Sequence, residues 1–261
     1  MSNVYCHEHR AVVVVTGGDR LTLLQGLITA DVVGLAEGFA AYGALLTPQG
    51  RFLHDFLIFK TAEALFFNVE TARADDFIMR LKRYKLRADV TFKVDEALRL
   101  MSEQVSTASP QDPRHAALGF VSLKPAQPTT WLDYEETRIR AAAPDGSRDM
   151  IVEDSLLLDY GVDTLNGIAF TKGCYVGQEI TARMKYKAQP KKAFMSIELL
   201  SGGFPPVGAA LDDIGIMGSH QGSWGAALLK IDHAQPGAVH TLTDGLSFRL
   251  HAPLSTHQSR Q

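Results

Sequence analysis

Cysteine is scarce in this chain, which has only Cys6 and Cys174 among its 261 residues. Two cysteines cannot form the disulfide framework of a small secreted domain. They also cannot supply the four thiolates that usually hold an iron–sulfur cluster within one chain. The shortage excludes both classes and favours a reducing compartment, which we predict to be the cytoplasm.

Long apolar runs and an excess of positive charge are missing as well. No stretch approaches the roughly 20 apolar residues that span a bilayer, and the N-terminus lacks the apolar core of a signal peptide. The formal net charge of −3 gives no overall attraction to nucleic acid or to an anionic membrane. We therefore expect no membrane insertion and no direct binding of nucleic acid. The tract from Cys6 to His9 has metal-ligand residue types but no partner motif, so we predict no metal site.

Apolar and β-branched runs in the first part of the chain indicate paired strands and single helices. We predict a strand at 11–15, hairpin strands at 40–47 and 51–60 around Pro48-Gln49-Gly50, and a helix at 72–82. Paired strands that alternate with single helices are typical of α+β layers and not of a doubly wound parallel sheet.

Two further segments differ in composition from this pattern. Residues 102–130 contain four prolines and many small polar residues, which predicts a long, loop-rich connection. From residue 191 onward, short apolar runs alternate with Gly and Pro clusters, as in a small β-barrel. We therefore predict two domains, an α+β domain at 1–190 and a small β-barrel at 191–261.

The run KGCYVGQE, residues 172–179, is the most informative segment of the chain. It places Cys174 beside Lys172, between Gly173 and Gly177, and ahead of residues with helical spacing. An ammonium group and the positive end of a helix both favour a thiolate over a thiol. Glycine lets the backbone turn sharply and lets a ligand approach closely. A free cysteine is often a small buried hydrophobe, but these neighbours indicate an exposed, functional thiol.

Asp55 is the second candidate, because it lies among large apolar residues in the stretch from Phe52 to Phe59. A carboxylate in such surroundings needs a partner. It is either a structural aspartate bound to an arginine or a backbone N–H, or an acceptor for a polar ligand in an apolar cleft. The sequence leaves both interpretations open.

Two further groups of charged residues allow both a structural and a functional interpretation. A basic cluster near the end of the predicted helix contains Lys82, Arg83, Lys85 and Arg87. It is either a solvated helix end or a site for an anion such as a phosphate or a polyglutamate tail. Glu179 and Arg183 are four residues apart and either pair with each other or face a cleft beside Cys174.

KGCYVGQEITAR resembles the signature of the YgfZ family, folate-binding proteins related to the aminomethyltransferase (T-protein) of the glycine cleavage system. The likeness extends from about residue 11 to about residue 251. Supporting blocks are Gly18 to Val32, Thr47-Pro48-Gln49-Gly50-Arg51 followed by Asp55, Lys82 to Val90, Asp112-Pro113-Arg114, and Gly215 to Lys230. Asp159 departs from the pattern, since the family usually has a glutamate there.

The resemblance implies an aminomethyltransferase-like α+β fold, with two intertwined lobes around a central channel and a C-terminal β-barrel. It also implies tetrahydrofolate or a one-carbon derivative as ligand. Cys174 and Lys172 would carry the chemistry. The residues that would contact the folate are Asp55, Tyr175, Gln178, Glu179 and Arg183.

The function that follows is a folate-binding factor, expected to be a monomer, that assists assembly or repair of iron–sulfur enzymes, including those that modify tRNA. Its partners would be iron–sulfur client or assembly proteins. The alternative is a tetrahydrofolate-dependent one-carbon transferase, which should tolerate Cys174→Ser. A third interpretation is an adaptor that binds RNA or protein through the basic cluster.

Overall fold

The fold is seen in a computed structural model that describes residues 3–187 and 190–254. The strands are β1 (Val4–Cys6), β2 (Arg10–Thr16), β3 (Ala40–Leu46), β4 (Phe52–Lys60), β5 (Ala64–Glu70), β6 (Thr91–Asp95), β7 (Leu98–Glu103), β8 (Phe120–Pro125), β9 (Lys192–Ser201), β10 (Ala210–Leu211), β11 (Gly215–Gln221), β12 (Trp224–Lys230), β13 (Val239–Thr241) and β14 (Ser247–His251). The α-helices are α1 (Arg20–Gln25), α2 (Ala74–Lys85), α3 (Tyr134–Arg140) and α4 (Gln178–Lys187). Within the described residues, no helix is long and apolar enough to cross a membrane.

A five-stranded antiparallel sheet has the order β3-β4-β5-β2-β6. At its centre Val13 of β2 pairs with Phe67 of β5 and Val94 of β6. β-branched side chains favour this extended, half-buried backbone. Helix α2 buries Phe77 and Leu81 in the same core. The predicted hairpin, strand and helix are all present.

A three-stranded antiparallel sheet, β1-β7-β8, lies where the sequence predicted mostly loop. Ser102 pairs with Tyr5 on one side and Val121 on the other. The long, loop-rich connection predicted over 102–130 therefore contains the end of β7 and all of β8. The strands are short, and their pairing joins segments far apart in sequence.

The C-terminal strands form a six-stranded antiparallel sheet in the order β10-β11-β12-β9-β14-β13. Ile197 and Phe248 are buried in a core that belongs to this sheet. Phe194 and Leu228 are buried instead against the core shared with the middle of the chain. Apolar side chains are therefore buried on both faces of the sheet. One face packs against the rest of the fold and holds the sheet in place.

The closure of this sheet into a barrel is seen only in part. In the described residues β10 and β13 are the two edges, and no ladder of backbone hydrogen bonds joins them. The Asp212 carboxylate near one edge accepts hydrogen bonds from the Thr243 N–H at 3.0 Å and from its hydroxyl at 2.9 Å. Side chains therefore connect the edges, while the small barrel and the domain boundary at 190/191 stay predictions.

Candidate functional site

The loop at 172–177 leads directly into α4, and it carries the exposed thiol of the chain. Cys174 is exposed, whereas Cys6 is buried. Helix α4 begins at Gln178, about one helical turn beyond Cys174. The Val176 N–H donates to the Gly26 carbonyl at 3.1 Å, which ties the loop to the end of α1. The thiol thus faces solvent from a loop that is anchored on the body of the protein.

Two glycines hold this loop against the turn of the β3–β4 hairpin. Gly177 has φ 85°, and a Cβ there would lie 2.7 Å from the Thr47 carbonyl oxygen. Gly50 has φ 73°, and its Cβ would lie 3.0 Å from the Ile180 Cβ. Glycine is needed at both positions, because the positive φ would strain any other residue and the neighbouring atoms leave no room for a Cβ. Gly173 differs, since a Cβ there would meet nothing within 4 Å.

Lys172 binds the chain that follows α1. Its Nζ donates to the carbonyl oxygens of Ile28 at 2.8 Å and Ala30 at 2.7 Å, and lies 5.2 Å from the centre of the Tyr175 ring. Burial lowers the pKa of Lys172 to about 8, a shift that Asp31 opposes. Its observed hydrogen bonds position the loop, so Lys172 supports the thiol structurally.

Replacing Lys172 with methionine should loosen this anchor, because the carbonyls of two buried residues, Ile28 and Ala30, lose a donor. We expect a loss of about 1–3 kcal/mol in the free energy of unfolding. Hydrogen exchange at 26–34 should become faster, as measured by mass spectrometry. Lys187→Met is the control, since Lys187 is exposed in the final turn of α4. Equal effects of the two substitutions would contradict an anchoring role.

The remaining motif residues lie along the start of α4 and the chain before it. Tyr175 is buried, and burial raises the pKa of its hydroxyl to about 12. Gln178 is half-buried, while Glu179 and Arg183 are exposed. Glu179 and Arg183 form no ion pair within 4.0 Å among the residues described. They are available to a ligand or partner, and their predicted folate contacts stay predictions.

Asp55 belongs to a different environment, the interior of the first sheet, where it is 2% exposed. Its Oδ1 accepts a hydrogen bond from Arg10 Nη2 at 2.9 Å. Its Oδ2 accepts from the Tyr42 hydroxyl at 3.1 Å and the Gly146 N–H at 3.2 Å. Burial and the Asp55 carboxylate hold the pKa of Tyr42 well above its ordinary value, so the hydroxyl remains a donor. This is the structural aspartate, one of the two interpretations that the sequence left open.

Asp145 shares the same arginine. Its Oδ1 accepts from Arg10 Nε at 3.0 Å and Nη2 at 2.5 Å, while its Oδ2 accepts from Arg148 at 2.6 Å. His9 Nε2 lies 2.9 Å from the same Oδ2. Burial alone would raise the pKa of Asp145, but Arg10, His9 and other cations hold it well below its ordinary value. The aspartate is therefore a buried anion compensated by cations.

Arg138 of α3 extends this network to the C-terminal sheet. Its guanidinium donates to the Ala143 carbonyl at 2.7 Å, to Asp149 Oδ2 at 3.1 Å and to the Ser219 hydroxyl at 2.7 Å. It is 1% exposed. The sequence did not predict a role for this arginine, nor for Arg10 and Asp145. The sequence signal for these three residues was weak, since it was only a charged residue directly before, or within, an apolar run.

Tetrahydrofolate, which the resemblance of the motif implies, does not fit beside Asp55. The cavity there is about 10 Å³, enough for one water molecule. Ordinary ligand pockets begin at about 300 Å³. Arg10, Arg114 and Arg138 line this small cavity. We therefore assign no step of chemistry to a folate at this position.

The basic cluster lies at the end of α2, where cations interact favourably with the helix dipole. Lys82, Arg83 and Arg87 are exposed, and Lys85 is half-buried. Within residues 3–187 and 190–254, no group of three or more His, Cys, Asp or Glu side chains is arranged to hold a metal ion.

Comparison with known proteins gives related sequences but no matching family model. The chain is 29% identical over 216 residues to the "Iron-sulfur cluster assembly factor IBA57 homolog, mitochondrial" of Pyricularia oryzae, covering 72% of this chain and 55% of that protein. It is 28% identical over 292 residues to the mouse (Mus musculus) "Iron-sulfur cluster assembly factor IBA57, mitochondrial", covering 90% and 79%. The chain therefore spans little more than half the length of the fungal relative.

These relatives contradict the predicted cytoplasmic location, because each is named as a mitochondrial protein. The prediction depended on the scarcity of cysteine. Low cysteine content indicates a reducing environment, and more than one compartment offers that environment.

A solved structure shows the fold. The crystal structure of glycine cleavage system aminomethyltransferase T from Bartonella henselae superposes with a TM-score of 0.76 at 13% identity. The match covers 96% of this chain and 85% of that one. The chain therefore has the aminomethyltransferase fold, and the sequence relatives support the superfamily that its motif resembles.

Proposed function

We propose that this protein assists the assembly of iron–sulfur clusters, with Cys174 as the thiol that meets the cluster or its iron. The observation that carries the proposal is the exposure of Cys174 on the anchored loop before α4. The similarity to proteins named iron–sulfur cluster assembly factors supports it.

The geometry suits a ligand that is shared with another protein. Cysteine thiolates hold iron–sulfur clusters, which usually need four protein ligands. Cys174 gives one, and the second cysteine is buried. The other ligands must come from a partner, so we propose client or assembly proteins as partners. On binding iron, the thiol gives up its proton and becomes a thiolate ligand.

This division of ligands makes the chain an accessory factor. The surroundings of Cys174 hold the loop in place: Lys172 binds the backbone after α1, and Gly177 lets the loop meet the hairpin. A fixed, exposed thiol lowers the ordering cost of docking a partner's ligands. The resemblance also implies tRNA-modifying enzymes among the clients, which extends the proposal without changing the chemistry.

Folate binding remains a separate proposal that rests on the resemblance of the motif and on the fold. The transferase alternative needs Asp55 to orient a folate nitrogen, but that carboxylate is bound by Arg10, Tyr42 and Gly146. With these partners in place it has no cavity to serve. We therefore favour the assembly role.

Cys174→Ser should abolish the assembly role, because a hydroxyl is a far weaker iron ligand than a thiolate. The measurement is the activity of an iron–sulfur enzyme in cells that lack the endogenous protein and carry the variant. We expect a loss of at least about tenfold relative to wild type, with equal protein levels.

Cys6→Ser is the matched control, since Cys6 is buried in β1. It should retain the function if the fold is kept. Full activity of the Cys174→Ser protein would contradict the proposal and favour the transferase. Steeply salt-dependent binding to tRNA, lost on neutralising the basic cluster, would favour the adaptor.

A further inference from the structure

A large cleft lies between α4, the segment 151–160 and the C-terminal sheet. Its volume is about 700 Å³. Apolar walls come from Ile180 and Met184 of α4, Ile216 of β11 and Leu228 of β12. This size falls in the range of about 300–1,000 Å³ that is usual for small-molecule sites. Cys174 is not among the lining residues.

Positive charge surrounds this cleft. Arg51, Arg183, Lys191 and Lys192 all line it. In the part of the chain that the structure describes, none of the four forms an ion pair within 4.0 Å. Arg51 donates instead to the backbone oxygen of Asp154 at 2.5 Å. Two carboxylates, Asp154 and Asp159, also line the cleft, so cations exceed anions there, whereas the chain as a whole carries a net charge of −3.

Asp159 adds a polar group to the wall. The carboxyl is half-buried and accepts no hydrogen bond from the residues described. Burial raises the pKa of Asp159, and Lys192 and Arg51 oppose this rise. A half-buried carboxyl without a donor is satisfied by a ligand that brings one.

We propose that this cleft binds a small organic anion with an apolar body. Its carboxylate or phosphate groups face Arg183, Lys191 and Lys192, where charge-assisted hydrogen bonds are available. Its body lies on the side chains of Ile180 and Met184, and an N–H or O–H group reaches Asp159. The inference does not depend on the role of Cys174, because the cleft and the thiol involve different side chains.

The test uses 8-anilinonaphthalene-1-sulfonate, an aromatic sulfonate whose fluorescence rises in apolar sites. We expect saturable binding of one molecule per chain, with an affinity that falls as salt is added. Arg183→Gln with Lys192→Gln should weaken binding about tenfold, because two nearby cations are removed. The matched control is Lys82→Gln with Arg83→Gln, which removes the same charges from an exposed helix end. Near-UV circular dichroism checks that each variant stays folded.

Competition identifies the class of the ligand. Citrate, ATP and 5-formyltetrahydrofolate are offered separately. Displacement of the dye by ATP or by 5-formyltetrahydrofolate supports the proposal, whereas displacement by citrate alone would overturn the requirement for an apolar body. Equal weakening by both double variants would overturn it, as would the absence of saturable binding to the wild type. Displacement by an acidic, leucine-containing peptide and by none of the three small anions would also overturn it, since the cleft would then be a peptide-docking surface.

Discussion

Replacing Arg10 with methionine is expected to lower the free energy of unfolding by about 3–5 kcal/mol, the usual cost of breaking a buried ion pair from one side. Arg10 is 4% exposed and bridges Asp55 and Asp145. Without it, Asp55 retains the Tyr42 hydroxyl and the Gly146 N–H but has no cation within 4.0 Å in the described part of the chain. Methionine replaces the aliphatic part of arginine without its charge, so the loss reports mainly the uncompensated Asp55 carboxylate, while Asp145 retains Arg148.

Urea unfolding followed by tryptophan fluorescence measures this loss, since Trp131 and Trp224 lie in different parts of the fold. Arg83→Met is the control and should change the free energy of unfolding by less than about 0.5 kcal/mol, because Arg83 is exposed. Adding Asp55→Asn to Arg10→Met should recover part of the loss. Equal destabilisation by Arg10→Met and Arg83→Met would show that the ion pairs of Arg10 contribute nothing to the free energy of unfolding.

The pH dependence gives a second signature of the same network. A carboxylate with a lowered pKa, such as Asp145, contributes stability above its unfolded pKa of about 3.9, and loses it as the pH falls through the folded value. Wild-type stability should therefore decline in acid. The stability of the Arg10→Met protein should fall less in acid, because protonation relieves the unpaired Asp55 carboxylate. The difference between the two proteins should be largest at neutral pH and should narrow towards pH 4.

The sequence could predict the local elements but not this network. The β-branched run of β2 and the hairpin around Pro48-Gln49-Gly50 depend on neighbouring residues, and both are present. Arg10 and Asp145 are 135 positions apart, and Asp55 is 45 positions from Arg10. Nothing local to Asp55 distinguishes a buried ion pair from a ligand site, so both interpretations had to stay open.

For the KGCYVGQE motif, too, the sequence predicted local features but not contacts with distant residues. The spacing of Ile180 and Met184 correctly predicted α4, and the neighbours of Cys174 correctly predicted exposure. The partners of Lys172 were not predictable, because Ile28 and Ala30 lie about 140 positions away. The strands β7 and β8 were missed for a related reason: pairing across long sequence separations decides their structure more than their own composition does.

Replacing Gly177 with alanine should lower the free energy of unfolding by about 2–5 kcal/mol and displace the thiol loop. A left-handed backbone costs a side chain about 1–3 kcal/mol, and overpacking costs a similar amount. At Gly177 both apply, since φ is 85° and the new Cβ would lie 2.7 Å from the Thr47 carbonyl oxygen. That oxygen belongs to the backbone of the hairpin and cannot rotate away. The same urea titration measures the loss, and the iron–sulfur enzyme assay should show reduced function.

Gly173→Ala is the matched control within the same loop. A Cβ at Gly173 would meet no atom of the described residues within 4 Å, so the stability should change by less than about 1 kcal/mol. Equal destabilisation by the two alanines would contradict the packing argument for Gly177. The two glycines of this loop thus have different roles. Gly177 allows close packing of the loop on the β3–β4 hairpin, whereas Gly173 leaves free space next to the backbone at Cys174. A Gly173→Ala protein that is stable but fails in the enzyme assay would place a partner close to the backbone at Cys174.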